Sequence, residues 1–561
     1  MLQHSFVLDS LGDTAPDTMS HFEQLIEEHR MTTTLLLPQS NKEKLITPNP
    51  ISRLKQIVPT VGVFHTHLPL RRAFLQYDEK YKVTSRRHVC LSFNEIRQIL
   101  NLAQVMALCE DEPVGTPRGV SMSSNNNTTN NSLANASQIT KVNWIDSSSL
   151  ENHHSSSSSS TSTPTITTKK QAMCNAPSPA PPLPPHLTPR PYTGPKLITF
   201  DGDQTLYTDG SNFDSNPKLA KSLTLLLQNK VTVAVVTAAG YDYQAEKYEF
   251  RLTGLLAFFK ESGLTEEECK RFYIFGGECN FLLNLGADFR LHAVTEQGPG
   301  GWLTSTKHLI ESPANWSESS VTRLLDVAEE SLKESVEQQN LRGRVIRKRR
   351  AVGLIPDPMG SSMSRESLDE TVLRVQSVLY ENSVSFRNLP YCAFNGGTDA
   401  WVDVGNKRVG VSVLQAYLGL QPKHCLHVGD QFLNTGNDFA ARDCAPCTWI
   451  TSPEETTFIL KRLLAFGGGI DIDEELEKDG KTGTRGKSPN NRAGSSSSFG
   501  SENANDTHMS SPRNVPPPTE MHRRQSGEGA SSLKIPTKQC FNPYTGEIIL
   551  PDGPERKKGK R

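Results

Sequence analysis

Apolar positions are spread unevenly along this chain, and their spacing divides it before any side-chain chemistry is considered. Toward residue 110 they recur at Ile96, Ile99, Leu100, Leu102, Ala103, Met106 and Leu108, the interval of one helical face. Ser92-Phe-Asn-Glu95 ahead of them is a capping-box pattern that predicts where this helix starts. From residue 196 the period changes. Leu197–Phe200 reads as a short buried strand, and Asn216-Pro217 as an N-cap followed by Pro at the first helical position. Leu219, Ala220, Leu223, Leu226 and Leu227 form one helical face, and 231–236 is a near-continuous β-branched run suited to a parallel strand. Further on, the pattern predicts a helix over 409–418 ending at Gly419 and strands over 425–428 and 447–450. Ser452-Pro-Glu-Glu455 is read as the capping box of a last helix. Strands alternating with helices through short links predict an α/β fold with a Rossmann-like doubly wound parallel sheet. Such sheets bind ligands at the carboxyl ends of their strands.

Elsewhere the periodicity disappears. Residues 111–195 hold Asn runs near 124–131, a Ser tract at 155–160 and a Pro-rich stretch at 177–195, and residues 467–561 are rich in Ser, Pro and charge. Such sequence buries too little apolar surface to offset its ordering entropy, so both segments are expected to be disordered. They account for a 561-residue chain that is only 35% hydrophobic, with mean hydropathy -0.48. One stretch of the tail, Phe541–Leu550 with Cys540 and Pro551 on its flanks, has a turn and a β-prone run and is read either as docking on the folded part or as binding a partner, docking being preferred. Two foldable blocks remain, a mainly helical one at 15–110 and the α/β one at 196–466.

Composition removes several function classes. Sixty Lys and Arg against 61 Asp and Glu exclude a generally basic nucleic-acid binder. No apolar run reaches the roughly 18–20 residues that span a bilayer, so no membrane partner is expected. The N-terminus lacks the basic and apolar regions of a signal peptide, and the ten cysteines show no framework spacing. A cytoplasmic location is the expectation. Cys444 and Cys447 form a CxxC with no second pair and are read as incidental thiols, while His65 and His67 are read as exposed strand or loop residues. Arg347-Lys-Arg-Arg350 is read as a charged surface of an inserted domain rather than a nuclear signal.

Four polar signatures fall at predicted strand ends or an adjoining helix start. Asp201-Gly-Asp203-Gln-Thr follows the first strand. Two carboxylates so close repel each other unless a cation or a shared proton compensates. The pair suits a nucleophile beside a second acid-base group, although a loop calcium site would use the same residues. Thr237 follows the second strand and reads either as a phosphoryl contact or as a strand-end cap. Lys407 stands near a helix start, against the helix dipole, and reads either as an anion-neutralising group or as a surface lysine. Gly429-Asp430 and Asn437-Asp438 follow a later strand with the oxygen ligands that Mg²⁺ prefers.

In this order the four signatures resemble the haloacid dehalogenase superfamily of phosphotransferases. The resemblance implies Asp201 as nucleophile, Asp203 as general acid then base, and Thr237 and Lys407 on the phosphoryl group. It implies Mg²⁺ on the Asp201 carboxylate, the Asp203 carbonyl and Asp430, with Asp438 supporting. Because superfamily ion pumps lack the second acid, Asp203 favours hydrolase or mutase chemistry. Between Thr237 and Lys407 lie roughly 170 residues, too many for a loop, which the resemblance makes an α+β cap domain. The expected division is core at 196–270, cap at 271–392 and core again at 393–466.

Longer strings narrow the resemblance. They include Thr199 to Gly210, Thr237-Ala-Ala-Gly-Tyr with Ala245-Glu-Lys-Tyr248, Phe275-Gly-Gly-Glu-Cys-Asn280 and Tyr391 to Lys407. With Gly429 to Asp438 and Phe93 to Gln104, they closely resemble the IMP-specific 5'-nucleotidases of fungi and apicomplexan parasites. That implies Mg-dependent conversion of IMP to inosine and phosphate in purine salvage, with Asp209 and Asp399 as further substrate contacts. It also implies ATP as an allosteric activator and a homotetramer built through the 15–110 block. One family branch has a Lys before the Phe-Asn-Glu helix where this chain has Ser85, followed by Arg86, the expected effector position. A sugar-phosphate phosphatase or mutase of the same superfamily, or a non-enzymatic scaffold using the low-complexity segments, are the alternative readings.

Overall fold

The structure, a computed structural model, describes residues 15–35, 51–86, 91–110, 191–214, 216–358 and 361–482, with 540–541 and 548–549. Most of the two low-complexity segments therefore lies outside the described residues. So does the docking expected of Phe541–Leu550, where Cys540–Phe541 and Ile548–Ile549 pair as two antiparallel strands. Among the described residues no helix is long and apolar enough to cross a membrane.

Residues 191–482 contain two sheets among the described residues. In chain order the strands are β1 (Leu197–Phe200), β2 (Thr232–Val236), β3 (Phe272–Gly276), β4 (Phe281–Leu285) and β5 (Leu291–Ala293). There follow β6 (Gly343–Arg347), β7 (Ala351–Pro356), β8 (Tyr391–Asn395), β9 (Ala400–Val404), β10 (Cys425–Gly429) and β11 (Cys447–Trp449). The first sheet runs β11-β10-β1-β2-β3-β4-β5. Its first five strands are parallel and the β3-β4-β5 edge is antiparallel. β1 and β10 are buried along their whole length, as strands covered on both faces require. Helices Pro217–Gln228, Thr253–Glu261 and Pro453–Gly468 supply one covering layer, through Leu223, Leu226, Phe259, Leu460 and Leu463. Lys407–Leu418 and Trp302–Thr306 supply the other, through Val411, Leu414 and Trp302. The expected doubly wound α/β core is present.

The second sheet is antiparallel, in the order β6-β7-β9-β8. Helices Glu318–Gln338 and Arg365–Glu381 pack on one face, taking Val352, Leu354, Ala400, Val402 and Val404 into their core. Strand side chains alternate between faces. Ile355, Phe394, Trp401 and Asp403 therefore point to the opposite face. Gly353 makes room there, since a Cβ on it would lie 2.6 Å from the Trp401 ring.

Two local expectations are revised. The inserted domain was placed at 271–392, but residues 272–293 belong to the first sheet and the second sheet runs to Val404. Apolar Phe272–Gly276 pairs parallel with β2 and turns straight back into β4, while Gly396 and Gly397 form the turn of a β8–β9 hairpin. The basic 347–350 stretch joins β6 to β7 in a further hairpin. Finally, Ser452 precedes the last core helix without capping it through its side chain. Glu455 instead accepts from Thr451 and pairs with buried Arg97 of the Phe93–Cys109 helix. The Ser92–Glu95 capping box and the Asn216 cap form as read.

The N-terminal block consists of helices Ala15–Leu35, Arg53–Ile57, Leu70–Tyr81 and Phe93–Cys109 around Leu25, Phe74, Ile99 and Met106. The last helix joins it to the core by packing on Pro453–Gly468 and β11. His65 meets the Arg442 carbonyl, and His67 lies beside Glu23 and Glu27.

Candidate active site

Three neighbouring strand ends deliver the central residues. Asp201 follows β1, Thr237 follows β2 and Asp430 follows β10. The Asp201 N–H continues the ladder to the Val428 carbonyl at 2.9 Å, so the carboxylate is held at the sheet's edge by backbone hydrogen bonding. Beyond it the chain folds back through Gln204 (φ 57), and the Leu206 N–H donates to the Gly202 carbonyl at 2.9 Å. Gly202 is required by its neighbours. A Cβ there would lie 2.6 Å from the Tyr207 hydroxyl and 3.3 Å from Thr237 Oγ1.

Lys407 opens the Lys407–Leu418 helix, whose N-cap Asn406 accepts from the Val409 N–H at 3.1 Å. Its ammonium is wholly buried, donating to Asp201 Oδ1 at 2.7 Å and Asp438 Oδ1 at 2.6 Å. The surface-lysine reading is excluded. Asp438 also accepts from His427 Nε2 at 2.9 Å and from the Gln431 N–H at 2.9 Å. It reaches that place because Gly429 has no side chain, as a Cβ would lie 2.3 Å from the Asp438 carboxylate. Lys407 and His427 hold the Asp438 carboxyl well below its ordinary range against the cost of burial. Burial pushes Asp201 up to about 7 despite Lys407, and pushes Asp430 up to about 9 with help from Asp201 and Asp438.

Asp201, Asp430 and Asp438 each offer an oxygen within one 4.8 Å cluster. Asp438 is saturated by Lys407, His427 and the Gln431 N–H, whereas Asp430 Oδ1 is buried with no hydrogen-bond partner. Hard oxygen donors, excess negative charge and an orphaned carboxylate oxygen fit a divalent cation such as Mg²⁺. Asp203 differs from Asp201, its side chain being 36% exposed. It takes Arg251 and the Gly210 N–H on one oxygen, Oδ1. Thr237 is buried, its hydroxyl accepting from the Ala239 N–H at 3.1 Å.

Asp201, Asp203, Thr237 and Asp430 line a cleft of about 1100 Å³ between the first sheet's strand ends and the open face of the second sheet. Asp209 and Asp399 lie on its walls, brought together where the Gly396-Gly397 turn meets the loop after Asp203. Burial raises Asp399 to about 6 and Asp403 to about 7. The 347–350 basic turn also lines the cleft, with Lys348 Nζ 4.4 Å from the Trp401 ring centre. Ser85 and Arg86 are not at the cleft. Arg86 pairs with the cap-box Glu95 at 2.7 Å, and the Ser85 hydroxyl donates to the Lys82 carbonyl. Arg251 and His427 reach the site without a role expected from the sequence, and Lys348, read there as part of a charged surface, lines the cleft. Only His427 carried a local signal, a polar residue inside an otherwise apolar strand.

The family model described as IMP-specific 5'-nucleotidase matches residues 13–122 and 187–460. The chain belongs to this family. The enzyme is thus a phosphoric monoester hydrolase. Relatives of that description from Yarrowia lipolytica and Plasmodium falciparum are 36% and 31% identical. Each match covers 74% of this chain, and 78% and 73% of the respective relatives. Among solved structures, an IMP-bound mutant of the Plasmodium falciparum IMP-nucleotidase is similar at TM-score 0.58 and 29% identity, covering 83% of this chain and 91% of that one. The ATP-bound form of the same protein gives TM-score 0.57 and 29% identity, covering 84% of each chain.

Carboxyls with raised folded pKa values stabilise the fold fully below about pH 4 and lose that contribution as pH rises through the folded value. For Asp399, Asp201, Asp403 and Asp430 that window runs from about 4 to about 9. Asp438 runs the other way, contributing above about pH 4 and losing it as pH falls. The melting temperature of the metal-free enzyme should therefore decline from about pH 5 to about pH 8, and Mg²⁺ should recover more at the higher pH. A metal-free profile that is flat or rising over this range contradicts the assignment.

Proposed function

We propose that the enzyme hydrolyses IMP to inosine and phosphate through an aspartyl-phosphate on Asp201. The observation that carries this reading is the pairing of a buried, Lys407-anchored Asp201 with a cleft-facing Asp203 two residues on. Asp201 attacks phosphorus with the carboxylate oxygen that Lys407 does not hold. The P–O5' bond breaks as the Asp203 carboxyl gives its proton to the departing inosine oxygen. Asp203, now a carboxylate, takes a proton from water, which attacks the same phosphorus and returns Asp201 to its starting form. Arg251 orients Asp203 by engaging Oδ1, leaving Oδ2 for the proton transfers. Lys407 and Thr237 hold phosphoryl oxygens as charge shifts toward the leaving group. The Asp201 and Asp430 carboxylates with the Asp203 carbonyl would hold Mg²⁺, and Asp438 would keep Lys407 in position. When bound, that ion supplies positive charge against the phosphoryl oxygens and the clustered acids.

Specificity for IMP is supported by the family match and the IMP-bound relative. Asp209 and Asp399, brought together at the Gly396-Gly397 turn, would accept from ribose hydroxyls, and burial lifts both carboxyls. Phosphate release from a panel of IMP, AMP, GMP and sugar phosphates should favour IMP by at least about tenfold, and equal rates would sink the specificity. Asp201→Asn should lower kcat by about 10³-fold or more, since no other group can form the intermediate. Retained activity would sink the mechanism.

Two regulatory features complete the proposal. ATP activates the enzyme at the N-terminal block around Ser85 and Arg86, with a phosphate replacing Glu95 on the guanidinium. A relative solved with ATP bound supports ATP as a ligand, and saturating ATP should lower the KM for IMP. A KM that does not move refutes it. The enzyme also assembles as a tetramer through the N-terminal block. Phe93, Ile96 and Leu100 leave an apolar strip exposed on one helix, which supports an interface there. Light scattering should give about four times the 62.0 kDa chain mass, and a monomeric mass rejects the assembly.

A further inference from the structure

β11 is an edge strand, and an edge strand presents unpaired backbone groups on its outer side. At Trp449 those groups are claimed by the N-terminal block. The Asn101 side chain acts as a missing strand residue. Its amide donates to the Trp449 carbonyl at 2.6 Å and its oxygen accepts from the Trp449 N–H at 3.0 Å. Arg97 donates to the same carbonyl at 2.6 Å and is itself held by both Glu455 oxygens at 2.8 Å. Phe93 packs edge-on against the Trp449 ring at 5.3 Å. Three residues of one helix thus fix the position of one tryptophan, and both Asn101 and Arg97 are buried.

The indole points the other way, toward the catalytic cleft. Trp449 Nε1 donates to the Asp430 backbone carbonyl at 2.7 Å, and the Ile450 N–H donates to the Gly429 carbonyl at 2.9 Å. Phe432, in the loop between Asp430 and Asp438, packs on the other side against Trp449 and His427, at 6.2 Å and 6.1 Å. The peptide that carries Asp430 is therefore clamped by one indole whose own backbone is held from the N-terminal block. Asp430 needs such a clamp, because its buried Oδ1 makes no hydrogen bond to any protein group.

We propose that Trp449 is a positioning residue for Asp430, and that Asn101 and Arg97 set its place. The N-terminal block is then coupled to the Asp430 peptide through the Trp449 side chain. This deepens the proposed function and rests on its assignment of Asp430 to the metal. Outer partners that orient metal ligands typically matter by about 10–100-fold in affinity or activity. Trp449→Phe deletes the indole N–H while keeping an aromatic ring in place. It should weaken Mn²⁺ binding, measured by electron paramagnetic resonance without substrate, by about tenfold or more. It should also lower kcat for IMP by about tenfold, with KM within about twofold and the melting temperature within about 2 °C.

Asn101→Leu, which does not touch the cleft, should reproduce both defects, and it decides the matter if Trp449→Phe does not fold. Mn²⁺ affinity and kcat within about twofold of the parent in either folded variant overturn the inference. Failure of the parent enzyme to bind Mn²⁺ or to hydrolyse IMP would instead overturn the functional reading beneath it.

Discussion

The Lys407 ammonium, sealed between Asp201 and Asp438, is the interaction on which the rest of the catalytic structure depends. An uncompensated carboxylate is strongly disfavoured away from water, and removing one member of a buried pair typically costs about 3–5 kcal/mol. Here a single cation faces Asp201 and Asp438 directly, with Asp430 in the same cluster and His427 lowered by burial toward its neutral form. Negative charge remains in excess even after Lys407 is counted. That excess, with burial, raises Asp201 and Asp430, and it is the charge balance a bound positive ion would relieve. The same imbalance that is unfavourable to the metal-free fold is what the chemistry uses.

Much of the local architecture follows from protecting this arrangement. Gly429 leaves its Cβ position to the Asp438 carboxylate, and Gly202 leaves space for Tyr207 and Thr237. Parallel strands of the first sheet end at one level, so residues distant in sequence arrive side by side without long loops. The second sheet contributes by its pleat. Alternate residues of β9 bury Ala400, Val402 and Val404 under the helices and turn Trp401 and Asp403 toward the cleft. A wall built this way changes its cleft-facing chemistry without disturbing its core.

The cleft also joins two electrostatic characters. Its floor is acidic and buried around Lys407, while one wall carries the basic 347–350 turn. Arg347 is tied to Asp326 and Glu329, and Arg350 to Glu318, so these side chains are held by their own domain. Lys348 stands over Trp401, with Asp399 and Asp403 opposing the lowering that burial imposes on it. The cleft thus sets basic side chains on one wall against carboxylates on its floor.

The sequence by itself determined the strand–helix alternation, the acid pairs at 201/203 and 430/438, and the lysine at a helix start. Each is a short-range pattern: an apolar run followed by its polar punctuation, which one to ten neighbouring residues are enough to specify. Only the tertiary structure decided that Lys407 is buried between two acids, and that Arg251 holds Asp203 from 48 residues away. It also decided that Glu455 serves Arg97 and Thr451 rather than a capping box, and that Asn101 completes the edge of β11. It moved the domain boundary as well, because residues 272–276 pair with β2 while residues 391–404 join β7. The physical reason is common to all of these. A side chain's periodicity is set by its own segment, but its partner, its burial and hence its charge are set by segments that meet it only when the sheets assemble.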